Sequence, residues 1–215
     1  MYIGHFAPAA VLVQAAPSVP TWVSLVGVSF PDLFWGLLVV AGFEKLKIDP
    51  DSPLQKNIKF THYPFSHSLL LTNIIACIPA AIIVYFYGYI AGLVFLLASI
   101  SHWGLDAIVH LRDLPVLGFN GDRKVGLGLW KYGWLSFVIE YLLLVVGTVL
   151  IMPFGTWTQT LAGGSVLHAA NANSFFGFTR KNPIRTSKQY ALLVFFAFIV
   201  AIIVFEWAFG SFWVR

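Results

Sequence analysis

Three polar side chains recur every four residues at the end of a long apolar run, Ile90–Ile100. His102, Asp106 and His110 occupy these positions, and on an α-helix residues four apart return to nearly the same azimuth. Neighbours in such a stripe lie about 6 Å apart, so His102 and Asp106 can bind one metal ion together. Ionisable side chains within a membrane-spanning helix usually mark a functional site. A stripe of this kind can also be structural, held by hydrogen bonds to other helices.

The composition is that of an integral membrane protein. Of 215 residues, 59% are hydrophobic and only 10% are charged, whereas a soluble domain carries about 25% charged residues. The net charge of +4 is typical of the loop charges that orient a membrane protein, so no nucleic-acid partner is expected. Cys77 is the one cysteine, which excludes an internal disulfide.

The apolar segments predict an all-α, multi-pass bundle of about five spanning helices preceded by a short N-terminal helix. The expected spans are 21–43, 66–87, 90–111, 130–152 and 188–209, and the short helix covers 3–16. At this length we expect one membrane domain, 1–215, with a metal-site core in 1–152 and a C-terminal loop and last span in 153–215. Residues 153–187 are expected to be part loop and part interfacial, with His168 at the surface.

The distribution of Lys and Arg predicts the orientation. We call the side of the bundle that carries the 44–60 loop the loop side. With five spans, the 112–129 loop and the C-terminus also fall on the loop side, which then holds nine of the thirteen basic residues. The positive-inside rule places the loop side in the cytoplasm.

Five of the six histidines and two aspartates fall in the loop-side half of this topology. They are candidate ligands for a metal ion in a pocket open to the loop side: His5, Asp32, His62, His67, His102, Asp106 and His110. Imidazole and carboxylate ligands without a thiolate suit zinc, with manganese or iron as alternatives. His62 and His110 can equally be ordinary interfacial histidines. Glu140 can pair with Arg112 or Lys131, bind the metal, or act as a general base.

These residues also resemble the motifs of a known family. Gly4-His5, Pro31-Asp32, Pro64-Phe65-Ser66-His67-Ser68 and Ser101-His102-Trp103-Gly104-Leu105-Asp106 are similar to motifs of the multi-pass proteins described as membrane-bound metal-dependent hydrolases, the YdjM-like group. The resemblance implies a metal site formed by His5, Asp32, His67, His102 and Asp106. The chain differs where the family often has a second acidic residue after Pro-Asp, because Phe34 occupies that position.

Two classes of function fit the sequence. The first is a metal-dependent hydrolase of a lipid or other membrane-associated ester or phosphodiester, in which Asp32, Asp106 or Glu140 accepts the proton of a metal-bound water. In this class Arg112, Arg123 and Lys124 can receive an anionic headgroup. The second is a metal or proton carrier, or an assembly factor, that uses the same His and Asp residues. The expected partner is the lipid bilayer; the oligomeric state is not predicted.

Overall fold

The computed structural model describes residues 1–210, and helices dominate this part of the chain. Nine α-helices occur in it: α1 Phe6–Ala15, α2 Thr21–Ala41, α3 Pro64–His67, α4 Leu69–Tyr87, α5 Tyr89–Val109, α6 Gly133–Ile151, α7 Trp157–Ala170, α8 Asn173–Phe176 and α9 Ser187–Gly210. Two antiparallel pairs of short strands lie in the loops: β1 Lys45–Lys47 with β2 Lys59–His62, and β3 Leu114–Pro115 with β4 Lys124–Val125. The expected all-α class is confirmed.

Five of these helices are long and apolar enough to cross a membrane. They are α2, α4, α5, α6 and α9, with 19 to 24 residues each and a mean hydropathy of 1.6 to 2.7. A 19-residue helix is about 28 Å long at ~1.5 Å per residue, close to the thickness of the hydrocarbon core. The chain therefore has the architecture of a multi-pass integral membrane protein, with a shorter apolar helix at the N-terminus, as expected.

Small residues let α2 pack tightly between α5 and α9. A Cβ added at Gly27 would lie 2.6 Å from the Cβ of Ala98 on α5, and one at Gly36 would lie 3.0 Å from the Cβ of Phe195 on α9. Both helices therefore approach the backbone of α2 closely at these points. This packing fixes the position of Asp32, which lies between the two glycines on α2.

The segment after α6 differs from the prediction. Residues 157–170 form helix α7, about 21 Å long at ~1.5 Å per residue, which runs back antiparallel to α6. Tyr141 of α6 hydrogen-bonds Ser165 of α7 at 2.7 Å, and the ring of Phe137, nearer the start of α6, stacks on His168 at 3.7 Å. The chain thus returns to the loop side before α9 begins.

The direction of α9 is consequently opposite to the predicted one. Ser187, its first residue, donates a hydrogen bond to the Leu46 carbonyl of strand β1 on the loop side. Gly210, at the other end of α9, lies beside Pro17 and Pro20. The prediction that the last span ends on the loop side is therefore wrong. The Trp213–Arg215 tail lies outside the described residues.

This change of direction moves four more basic residues to the loop side. Arg180, Lys181, Arg185 and Lys188 precede or begin α9, so all twelve Lys and Arg residues in the described part of the chain lie at this end of the bundle. The charge asymmetry is thus stronger than the sequence predicted.

Candidate metal centre

The stripe predicted on α5 lies inside the bundle. His102 and Asp106 are 1% and 2% exposed, and Nε2 of His102 lies 3.2 Å from Oδ2 of Asp106. His110, just after the last turn, points its Nε2 at the same oxygen from 3.5 Å. The helical spacing therefore aims both imidazoles at one carboxylate.

Two further side chains, His5 and His67, reach this carboxylate, and Asp32 on α2 joins the group through His67 and His102. His5, at the start of the N-terminal helix, places Nε2 3.2 Å from Oδ1 of Asp106. His67, the last residue of α3, places Nε2 3.6 Å from Oδ2 of Asp106 and 3.4 Å from Oδ1 of Asp32 on α2. Asp32 also lies 3.6 Å from Nε2 of His102 through its Oδ2. The structure thus collects His5, Asp32, His67, His102, Asp106 and His110 in one group.

The second ring nitrogen of three of these histidines has a polar partner. Nδ1 of His102 donates to the Val28 carbonyl at 2.7 Å, and Nδ1 of His110 contacts Oδ1 of Asp113 at 2.9 Å. Because the Val28 carbonyl only accepts, the hydrogen of a neutral His102 ring resides on Nδ1. In His110 the shorter distance from Nδ1 to Asp113 than from Nε2 to Asp106, 2.9 against 3.5 Å, favours the same tautomer. The Nε2 lone pairs of His102 and His110 therefore face the centre, as metal-ligating histidines require.

His67 is oriented through a short relay that begins at Glu44. Oγ of Ser66 contacts Nδ1 of His67 at 2.8 Å and donates to Oε2 of Glu44 at 2.6 Å. Glu44 also accepts the backbone N–H groups of Phe65 and Ser66 at 2.8 and 3.1 Å. With Glu44 ionised, the single Ser66 hydrogen is used on Glu44, so His67 keeps its hydrogen on Nδ1 and turns its Nε2 lone pair to the aspartates.

Burial governs the charge of Glu44, which is 1% exposed. Loss of hydration raises the pKa of this carboxyl to about 7, against the hydrogen bonds from Ser66 and Phe65, which lower it. Glu44 thus changes its charge near neutral pH, one serine away from His67.

With Glu44 ionised and the three rings neutral, the group places acceptors opposite acceptors. Lone pairs on Nε2 of His67, His102 and His110 face carboxylate oxygens at 3.2 to 3.6 Å. A tetrahedral zinc ion, with bonds of about 2.0–2.1 Å, holds neighbouring ligand atoms roughly 3.3 Å apart. A cation at the centre would therefore satisfy groups that otherwise repel one another.

Two overlapping ligand sets lie within this group. His5, His102 and Asp106 form one, and Asp32, His67 and His102 the other, with the ligand atoms of each set within 4.8 Å of one another. His102 has one free lone pair because its Nδ1 is bonded to Val28, so it can bind an ion in only one set at a time. A buried His/Asp group that can hold a metal ion is thus present.

His5 owes its position to Glu140 on α6. The buried Glu140 carboxylate accepts hydrogen bonds from the backbone N–H groups of Tyr2 and Gly4 through Oε1. The ring of His5 stacks on His102 with centroids 3.7 Å apart, and the Met1 nitrogen lies 2.7 Å from Oδ1 of Asp106. Of the alternatives open from sequence, Glu140 forms an ion pair with neither Arg112 nor Lys131 in the described residues; its contacts position the N-terminal helix.

Two histidines lie apart from the group. His62 is exposed on β2, opposite Lys45 in the β1–β2 hairpin, because strand pairing turns its side chain away from the bundle. His168 is only 3% exposed and donates through Nε2 to the Phe137 carbonyl at 2.9 Å. The expectation that His168 lies at the surface is therefore wrong, since α7 turns this residue towards α6.

A cavity of about 200 Å³ lies against one face of the group. Five polar side chains of the site line it, namely Asp32, His67, Asp106, His110 and Glu140, whereas the rest of its wall is mainly aromatic and aliphatic. His5 and His102 do not line it and lie deeper. The centre thus has a closed inner layer and an outer layer that a small molecule can reach.

A comparison with family models, with curated proteins and with solved structures finds no match for this chain.

Proposed function

We propose that this protein is a membrane-embedded, zinc-dependent hydrolase that cleaves a lipid or other membrane-associated ester or phosphodiester. The observation that carries the proposal is the convergence of imidazole lone pairs on Asp106 and Asp32 beside a cavity of about 200 Å³. The motifs resemble those of the YdjM-like group of membrane-bound metal-dependent hydrolases, which favours the same chemistry.

In this proposal the buried His and Asp side chains hold the ion, and the cavity beside them receives the substrate. His5, His67, His102, Asp32 and Asp106 would be the ligands. A bound divalent ion supplies a water whose pKa is lowered towards ~7 and polarises the oxygen of the scissile group.

His110 is placed to take part in proton transfer. It lines the cavity, and Asp113 orients its ring through Nδ1 at 2.9 Å, which is the arrangement of a base held by a third group. Asp32, Asp106 and Glu140 remain candidates for the same role, since all three carboxylates border the cavity.

The apolar packing beyond the site favours a hydrolase over a carrier. A carrier needs polar groups along its path to the opposite face. Beyond His5 and His102, the described core contains many fully buried apolar side chains, including Phe6, Leu25, Ala98 and Phe205. The buried polar side chains there, such as Ser24, Thr148 and Thr160, are uncharged hydroxyls. The cavity thus ends at the metal group. The loop side carries the basic residues, so we also propose that the site belongs to the cytoplasmic half of the membrane.

Elemental analysis combined with hydrolysis assays tests this function. Protein purified in mild detergent without chelator should retain at least one divalent ion per chain. It should cleave a phosphodiester or carboxylic ester reporter, and His102→Ala should do neither. Less than one ion per chain after loading with zinc, manganese or iron would exclude the metal site. Metal binding without hydrolysis, together with metal uptake into proteoliposomes, would favour the carrier instead.

A further inference from the structure

The side walls of the cavity are formed by two helices that are far apart in sequence. Leu167, Ala170 and Asn171 at the end of α7 line one wall, and Leu193, Val194 and Ala197 of α9 line the other. At the end away from the loop side the same helices are in contact, since a Cβ at Gly163 would lie 2.5 Å from Cγ1 of Val204. The cavity therefore occupies the loop-side half of the cleft between α7 and α9.

The outer edge of this cleft faces the surroundings of the bundle. Ala170 and Leu193 line the cavity and are themselves exposed, Leu193 by 52%. Leu193 lies six residues into α9, which is about 9 Å below its loop-side end at ~1.5 Å per residue. Its neighbours Leu192 and Phe196 are also exposed, by 42% and 58%. An apolar flank at this depth faces hydrocarbon, so the cleft opens towards lipid.

A cluster of positive charge lies at the loop-side end of α9, the helix that forms one wall of the cleft. The segment that joins α8 to α9 carries Arg180, Lys181 and Arg185, and Lys188 follows in the first turn of α9; all four are exposed. Asn182 fixes this segment to the connection between β1 and β2 by donating to the Asp49 and Ser52 carbonyls at 3.1 Å. These charges lie where lipid headgroups meet water and favour an anionic headgroup.

The size of the cavity decides how much of a lipid it can hold. At about 200 Å³ it is smaller than the ~300–1,000 Å³ of typical pockets for drug-sized ligands. A whole phospholipid does not fit, but a headgroup and the adjoining ester do if the acyl chains stay outside. A cleft that opens to hydrocarbon lets the acyl chains stay in the bilayer while the headgroup occupies the cavity. An opening to water alone would expose the acyl chains to water.

We propose that an anionic phospholipid of the loop-side leaflet enters the site sideways, between α7 and α9. Its acyl chains remain at the gap between Ala170 and Leu193, and its headgroup lies below the four basic residues. The polar linkage then reaches the cavity wall formed by Asp106 and His110. The chemical step rests on the proposed hydrolase function, but the lateral entry rests on the cleft itself.

Tryptophan substitutions at the edge of the cleft test the route. Ala170→Trp and Leu193→Trp block the gap, whereas Val166→Trp and Val200→Trp add the same bulk at positions of α7 and α9 that are 70% and 48% exposed and do not line the cavity. Each protein is stripped of metal with chelator, reconstituted in phosphatidylglycerol–phosphatidylcholine vesicles, and extracted in mild detergent. Native mass spectrometry then counts the phosphatidylglycerol molecules that each chain retains.

Lateral entry predicts at least a tenfold lower retained phosphatidylglycerol in the two gap variants than in wild type and the two controls. In the metal-loaded proteins, hydrolysis of vesicle phosphatidylglycerol should fall by a similar factor in the two gap variants and stay at the wild-type level in the two controls. Equal retention in gap and control variants would overturn the proposal. If no protein hydrolyses phosphatidylglycerol, the hydrolase function fails, yet the retention assay still decides on the cleft. Leu193→Phe, a milder change, replaces any variant that does not fold.

Discussion

Nε2 of His102 and Oδ2 of Asp106 lie 3.2 Å apart, one helical turn from each other on α5. No hydrogen is available between them while the His102 ring is neutral, because Nδ1 donates to the Val28 carbonyl. Two acceptors are thus held face to face in a nearly dry site, an arrangement that is unfavourable unless a cation joins them. The backbone of α2 and the helical spacing of α5 enforce this geometry together.

The first prediction concerns this pair. His102→Ala and Asp106→Ala should each lose most of the bound metal and most of the activity, since either change leaves an incomplete ligand set. The double variant should be only slightly worse than either single variant, because groups that act as a unit are strongly non-additive. Elemental analysis of the three proteins measures this. Full metal occupancy in His102→Ala would contradict the proposed centre.

The stripe of His102, Asp106 and His110 on α5 could be predicted from sequence, because helical periodicity alone determines it. His5, Asp32 and His67 were predicted to join it because alternating spans place their ends on known sides of a bundle. The same topological argument predicted His62 in this group, but the pairing of β1 with β2 turns its side chain away from the bundle. Topology thus predicts which half of a membrane a residue occupies, and local pairing decides where its side chain points.

Other parts of the site had no usable signal in the sequence. Glu44 follows a span and precedes two lysines, a context typical of a solvated loop residue, yet it is buried against Ser66. Helix α7 contains Gly163-Gly164, which disfavour a helix. Gly164 is nevertheless needed in this helix, because a Cβ at its position would collide with Leu144 on α6. Tertiary packing therefore overrode local preference at both places.

The second prediction tests the relay to His67. Ser66→Ala removes the partner of Nδ1 and frees the ring to turn, so metal affinity should fall by roughly 10–100-fold, the usual effect of losing an outer partner of a ligand. Ser101→Ala is the matched control. Within residues 1–210 its hydroxyl bonds only to the Ala98 carbonyl of its own helix, although Ser101 directly precedes His102. Competition with a metallochromic indicator measures both affinities. Equal losses in the two variants would contradict the relay.

The third prediction is the pH dependence that Glu44 contributes to stability. Burial raises the pKa of Glu44 from 4.5 to about 7, so the folded state binds this proton more tightly than the unfolded state. The resulting stabilisation is complete below pH 4.5 and is lost as the pH rises through about 7. Metal-free wild type should therefore lose stability relative to Glu44→Gln over this range. Thermal unfolding in detergent measures it, and parallel pH profiles would contradict it.

The fourth prediction separates positioning from proton transfer at Glu140. Glu140→Gln keeps an oxygen that can accept from the Tyr2 and Gly4 N–H groups, so metal binding should persist. Glu140→Leu removes the acceptor and should lower metal affinity, because His5 is then no longer held against His102. Activity of Glu140→Gln decides the remaining question: activity near wild type makes Glu140 a positioning residue, and loss with full metal content makes it the proton acceptor. Metal loss in Glu140→Gln would make the carboxylate itself a ligand.

The last prediction tests the return of the chain through α7. On a Cys77→Ala background, single cysteines at Lys56, Asn120, Thr186 and Gly155 occupy exposed positions in four connecting segments. Because α7 runs back towards the loop side, Thr186→Cys should react with a membrane-impermeant thiol reagent from the same face as Lys56→Cys and Asn120→Cys. Gly155→Cys, between α6 and α7, should react only from the opposite face. If Thr186→Cys instead labels with Gly155→Cys, α9 runs in the other direction. The cleft between α7 and α9, and the concentration of basic residues on one face, would then both be wrong.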